Sequence, residues 1–195
     1  MECERTRPRP ERDTDGRAAM SRISSPTLAD AIKVVRAMGI EQKEVLANEL
    51  FERQPNLFGS ALALHRMGVA PAKIEVVLDL LFICFQSMKQ SGLRWPLITE
   101  ADLDKQLGRY VATVRFGEDL ALAQRQRAMT QYLESHPEKP LLAYVTDELN
   151  KWLAGITPEA TDNYVMLAAM NFVNCIAFTP GSCQQRCRVK SCSFS

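Results

Sequence analysis

Residues 67–90 read MGVAPAKIEVVLDLLFICFQSMKQ, and this stretch decides the fold. Met67 closes one helical apolar pattern, Gly68 interrupts it, and Val69 and Pro71 lead into another. A glycine just past a helix end is free to take the left-handed conformation. Proline fits the first turn of the next helix, where its missing N–H costs nothing. From Pro71 to about Gln90, Ile74, Val76, Val77, Leu78, Leu80, Leu81, Phe82, Ile83, Cys84 and Phe85 cover nearly the whole circumference. A helix that is apolar all round is enclosed by neighbours on several sides or by a second subunit. The pattern predicts a central helix.

The same punctuation recurs at Met38-Gly39-Ile40 and at Ala154-Gly155-Ile156, the latter again followed by a proline, Pro158. Residues 57–90 and 142–178 thus echo each other as helix, Gly-(Val/Ile)-x-Pro, apolar helix. A duplicated hairpin would produce the echo, but recurrent cap chemistry explains it more simply.

Working outward toward the N-terminus, a helix is expected from Ser25 or Thr27 to Met38, with Leu28, Ala31, Ile32 and Val35 on its apolar stripe. A second covers about 41–53 and stops at Pro55, and a third spans about 57–67. Toward the C-terminus, Thr99 caps a helix lined by Leu103, Leu107, Tyr110, Val111 and Val114. Gly117 either kinks or ends it, so 100–135 forms one bent helix or two. His136, Pro137 and Pro140 break the chain before a helix over 141–153, and Thr157 is expected to cap the last helix, running to about Phe178. No stretch alternates as a strand does. The fold class is all-α, a compact bundle of seven or eight helices in antiparallel hairpins.

A chain of 195 residues, 46 % apolar and 24 % charged, can build such a core without staples. The expected organisation is a disordered N-terminal arm over 1–25, one helical domain over 26–180 and a disordered Cys-containing tail over 181–195. The net charge of +1 is distributed unevenly: six Arg against five acids in the arm, and Arg186, Arg188 and Lys190 with no acid in the tail. The remainder carries 15 basic and 18 acidic residues, which supplies no steering field for nucleic acid. The first 25 residues lack the apolar run of a secretion signal, and Glu75 and Asp79 interrupt the most apolar helix. A cytoplasmic protein with no membrane span is the expectation.

Chemistry-bearing residues are sparse. His65 and His136 are the two histidines, the first near a helix end and the second expected to be exposed in its Pro-flanked join. Neither stands at ligand spacing from a cysteine or carboxylate, and no zinc-protease, phosphate-loop, nucleophile-elbow or dinucleotide motif is present. Cys84 and Cys175 fall inside apolar helices, as small buried hydrophobes do. Cys183, Cys187 and Cys192 supply three of the four ligands a structural zinc needs, with Cys3 distant in sequence, so neither metal nor cofactor is assigned. Asp79, one turn after Glu75, is either a structural ion pair, with Arg109 or Arg115 as its expected partner, a solvent-facing seam or a ligand-binding acid. Arg94-Trp95-Pro96 either presents an interaction anchor or plugs the end of the bundle.

No catalytic, cofactor-binding or metal residue is therefore named. The leading reading is a non-enzymatic helical protein acting through protein contacts, as a homodimer or with another protein. It rests on the excess apolar surface around 74–85 and 164–178. One alternative is a helix-turn-helix nucleic-acid-binding regulator using Lys33, Arg36 and Lys43, which is disfavoured by the acids around its junctions. The other is a small-molecule-binding protein or enzyme with an inter-helix pocket containing Asp79, Arg109 or Tyr110.

Overall fold

A computed structural model describes residues 21–118 and 120–179. Among these, regular structure is entirely helical: α1 (Ser25–Arg36), α2 (Ile40–Arg53), α3 (Pro55–Ala63) with a 3-10 turn (Leu64–Met67), α4 (Pro71–Gln90), α5 (Glu100–Glu118), α6 (Leu122–Ser135), α7 (Lys139–Ala154) and α8 (Asp162–Phe178). The described residues form an all-α bundle of eight helices. Its core is one cluster running from Ile23 to Ile176.

Two helices form the centre. On α4 every residue from Leu80 to Met88 is buried, enclosed by α1, α2, α3 and α8 of the same chain. On α8 every residue from Ala169 to Ala177 is buried, against α4, α5 and α7. The apolar circumference that called for neighbours on several sides thus finds them within one subunit. In the first half of α4, Glu75 and Asp79 lie on an exposed seam one turn apart.

The three glycine junctions are not one device. Gly68 takes the left-handed conformation, at φ 79°. Gly39 is extended and serves as the N-cap of α2, its N–H donating to the Gln42 side chain at 3.0 Å. Gly155 remains right-handed at φ −96°. The echo between 57–90 and 142–178 is therefore not a backbone repeat.

Other boundaries moved for identifiable reasons. Pro55 opens α3 instead of merely stopping α2, because Gln54 both ends one helix and begins the next. Residues 100–135 form two helices. The last helix starts at Asp162 rather than at Thr157. Asp162 accepts the Glu159 N–H at 2.7 Å and also binds Lys73 of α4, so a tertiary anchor outweighs the local cap signal.

Residues 21–25, which composition assigns to the arm, pack as part of the bundle. Ser24 caps α1 by accepting the Thr27 N–H at 3.3 Å, Ser25 is already helical, and Ile23 is fully buried. Residues 1–20 and 180–195, with Cys3, Cys183, Cys187 and Cys192, lie outside the described residues.

Candidate functional site

The break between α6 and α7, His136-Pro137-Glu138, carries the densest polar network. Glu138 has no exposed surface and accepts from the Ser21 hydroxyl, the Arg22 N–H, the Arg22 Nε at 3.1 Å and the Ile23 N–H at 3.1 Å. Arg22 in turn donates to the Thr179 and Ala177 carbonyls, at 2.9 and 3.0 Å, and to Ile176. It therefore closes the C-terminal end of α8, where unpaired carbonyls favour a cation. Its guanidinium also lies 4.5 Å from the centre of the Trp95 ring.

His136, expected in solvent, is buried, because the chain turns inward between two helices at this point. Its Nδ1 accepts the Glu138 N–H at 3.1 Å, so the neutral ring holds its proton on Nε2, which donates to Asn174 Oδ1 at 3.3 Å. Burial pushes its pKa below the ordinary value, partly offset by the bond to the Asn174 oxygen. Asn174 Oδ1 also accepts the Tyr132 hydroxyl at 2.9 Å. Burial raises the phenol pKa of both Tyr132 and Tyr110.

Beside this network, α5, α6 and α8 form a half-open pocket of about 300 Å³, lined among others by Gln106, Arg109, Tyr110, Tyr132, Asn174 and Phe178. Arg109 lies 4.9 Å over the Phe178 ring and makes a long, 3.4 Å hydrogen bond to Gln106. The inter-helix pocket expected from the sequence thus exists at Arg109 and Tyr110. Asp79 is not part of it.

Asp79 is exposed and pairs with Lys43 of α2 at 2.7 Å, not with Arg109 or Arg115. It borders a separate surface groove with Arg36, Tyr144, Glu148 and Trp152. The acid follows the solvent-facing seam, and its partner comes from the helix packed beside that seam. Lys33 and Arg36 are also in ion pairs, with Asp30 at 3.4 Å and Glu148 at 3.0 Å. Trp95 is half-buried against the core, its Nε1 donating to the Met88 carbonyl at 2.9 Å and Ser91 Oγ at 3.0 Å. His65 is exposed in the 3-10 turn.

Cys84 and Cys175 are free and buried, and desolvation pushes each thiol up to about 12, far from nucleophilic use at neutral pH. Among the described residues no three His, Cys, Asp or Glu side chains converge as metal ligands, and no helix is long and apolar enough to cross a membrane.

One helix departs from the bundle pattern. α6 has no buried residue, yet Leu122, Met129 and Leu133 recur along one of its faces and are 71, 50 and 38 % exposed. Sequence reasoning passed over Glu138; it reads Leu120 to Leu133 as an amphipathic stretch, but not that its apolar side stays uncovered. The only local signal for Glu138 was a carboxylate in a proline-rich break, and its partners lie more than a hundred residues away. Comparison with protein-family models, curated proteins and solved structures finds no match for this chain.

Proposed function

We propose that this is a non-enzymatic helical protein acting through protein contacts in the cytoplasm, as a homodimer joined along α6. The observation that carries the reading is the unburied α6 stripe. The stretches 80–88 of α4 and 169–177 of α8 do not supply this surface, since both are enclosed within one subunit. A 14-residue helix is marginal unless its apolar face is covered. Leu122, Met129 and Leu133 stand at i, i+7 and i+11, the spacing that one helix presents to another. A second copy of α6 laid antiparallel on this stripe gives the self-complementary contact of a two-fold interface.

The test is solution mass by light scattering over a concentration series. The parent is expected to approach twice the chain mass, and Met129→Glu to return it to the monomer while the bundle keeps its cooperative unfolding, the parent's melting temperature alone rising with protein concentration. A parent chain that stays monomeric at about 100 μM, far above the Kd of a specific dimer, overturns the reading. The helix-turn-helix alternative draws no support from Lys33, Arg36 and Lys43, each of which sits beside a carboxylate. The small-molecule alternative does have a specific observation behind it, the pocket at Arg109.

A further inference from the structure

We infer that the pocket between α5, α6 and α8 binds a small organic carboxylate, with the anionic group on Arg109 and an apolar body against Phe178, Tyr110 and Tyr132. This deepens the small-molecule reading and rests on none of the observations that carry the dimer. Charge is the first argument. Arg109 is the one charged side chain in the lining, and among the described residues no carboxylate pairs with it. Its only polar contact there is the 3.4 Å bond to Gln106, so most of its planar fork is unused. His136 does not add or cancel charge, because accepting the Glu138 N–H at Nδ1 holds it in the neutral form.

The second argument is a surplus of donors. Asn174 is 3 % exposed, and its Oδ1 is taken twice, by Tyr132 and by His136. That orientation leaves its NH2 without a partner at the pocket wall. Gln106, 4 % exposed, has its oxygen facing Arg109 and its own NH2 free in the same way. The Tyr110 hydroxyl adds a further unclaimed donor. The Thr113 and Ser135 hydroxyls spend their protons on the Arg109 and Tyr132 carbonyls. The Asn174 and Gln106 oxygens are committed, but their NH2 groups, the Tyr110 hydroxyl and most of the Arg109 fork are not, and these free donors beside a cation are the complement of an anion.

Size and walls narrow the class. About 300 Å³ lies at the small end of ligand pockets and suits an acid of roughly ten non-hydrogen atoms. Aromatic walls with a single cation favour a carboxylate on a planar apolar body over inorganic phosphate, which is served by several donors from backbone or basic groups.

The experiment is calorimetric titration of the full chain with benzoate, benzamide and inorganic phosphate. Benzoate is expected to bind in the millimolar range, at least about tenfold more tightly than benzamide or phosphate. Arg109→Gln should weaken benzoate by about tenfold and Arg109→Lys by less, because lysine keeps the charge and loses the fork. Lys33→Gln, on a distant helix, should leave it unchanged. Should Arg109→Gln melt below the parent, Tyr110→Phe, which removes one hydroxyl, is expected to cost about threefold. Equal binding of benzamide and benzoate overturns the carboxylate assignment and keeps the pocket reading. Phosphate binding as tight as benzoate overturns the apolar body. Absence of binding by all three overturns the pocket reading together with the inference.

Discussion

Replacing Glu138 with Gln should be among the most damaging isosteric changes this chain can suffer. The side chain has no exposed surface and collects four donors from Ser21, Arg22 and Ile23. Glutamine keeps the shape, removes the charge and turns one acceptor into a donor facing other donors. A hydrogen bond to a charged group contributes about 1.5–3 kcal/mol, and breaking a buried pair costs about 3–5 kcal/mol. Arg22, 24 % exposed, is not fully desolvated, which sets the expectation at the lower end, about 3 kcal/mol. For a chain of this size that is a fall in Tm of roughly 6–12 °C. Urea unfolding of Glu138→Gln, Arg22→Gln and the double variant separates pair from context. Because both residues serve one network, the double variant should cost about 2 kcal/mol less than the sum of the singles. A single-variant loss below about 1 kcal/mol, or simple additivity, refutes the idea that Glu138 fastens residues 21–24 to the bundle.

Burial holds the His136 imidazole below its ordinary value, so as pH falls the unfolded chain binds a proton first. Stability is complete above the ordinary imidazole value, falls as pH drops below it, and levels off under the folded value. The urea midpoint should decline between about pH 7.5 and pH 5.5, and His136→Gln should flatten that decline; an equal slope in the variant would be fatal to the assignment. The Asp162 carboxyl is lowered first by its hydrogen bond to Lys73, and the Lys73 amine is raised first by the same bond. The anchor is thus intact across neutral pH, lost in acid as pH falls through the lowered Asp162 value and in alkali as pH rises through the raised Lys73 value. Hydrogen exchange in the first turn of α8 should quicken below about pH 4, and Lys73→Met should bring that quickening to neutral pH. Gly68→Ala should cost about 1–2 kcal/mol, because a Cβ is strained in the left-handed region, whereas Gly155→Ala, right-handed with its nearest contact at 3.5 Å, should stay within about 0.5 kcal/mol. Equal costs at the two positions, read by urea unfolding, would contradict the assigned conformations.

Those two glycines show where local reading works and where it stops. Around Gly68 each local cue agrees: a left-handed cap, Pro71 in the first turn and a long apolar run, so α4 is legible to the residue at both ends. Around Gly155 the same residue types mislead. The start of α8 is set by Lys73, 89 residues away in sequence, and no neighbour within the loop reveals it. Asp79 was identifiable as an interruption, but its partner depended on which helix packs alongside, and α2 supplies Lys43. The polar network was the least legible part. His136 and Glu138 sit in a proline-rich break that reads as solvent-exposed, and only the return of Ser21–Ile23 across it makes the break an interior. The Arg109 pocket lay between these extremes, since two of its residues were named from the sequence as contents of an inter-helix cavity.

The distribution of burial explains why both functional proposals fall on the same helix. Nine consecutive residues on α4 and nine on α8 are buried inside the subunit, so these stretches have no face left to offer. α6 leans lightly on α5 and α7 and buries nothing completely. One side of it delivers Tyr132 to the pocket, and another carries Leu122, Met129 and Leu133 outward. Elements with few buried contacts open at low free-energy cost, and binding functions draw on them for that reason. A partner that covers the outward stripe also restrains the helix that walls the pocket. Partner and anion would therefore each favour the same ordered α6, and by reciprocity each would raise the affinity of the other.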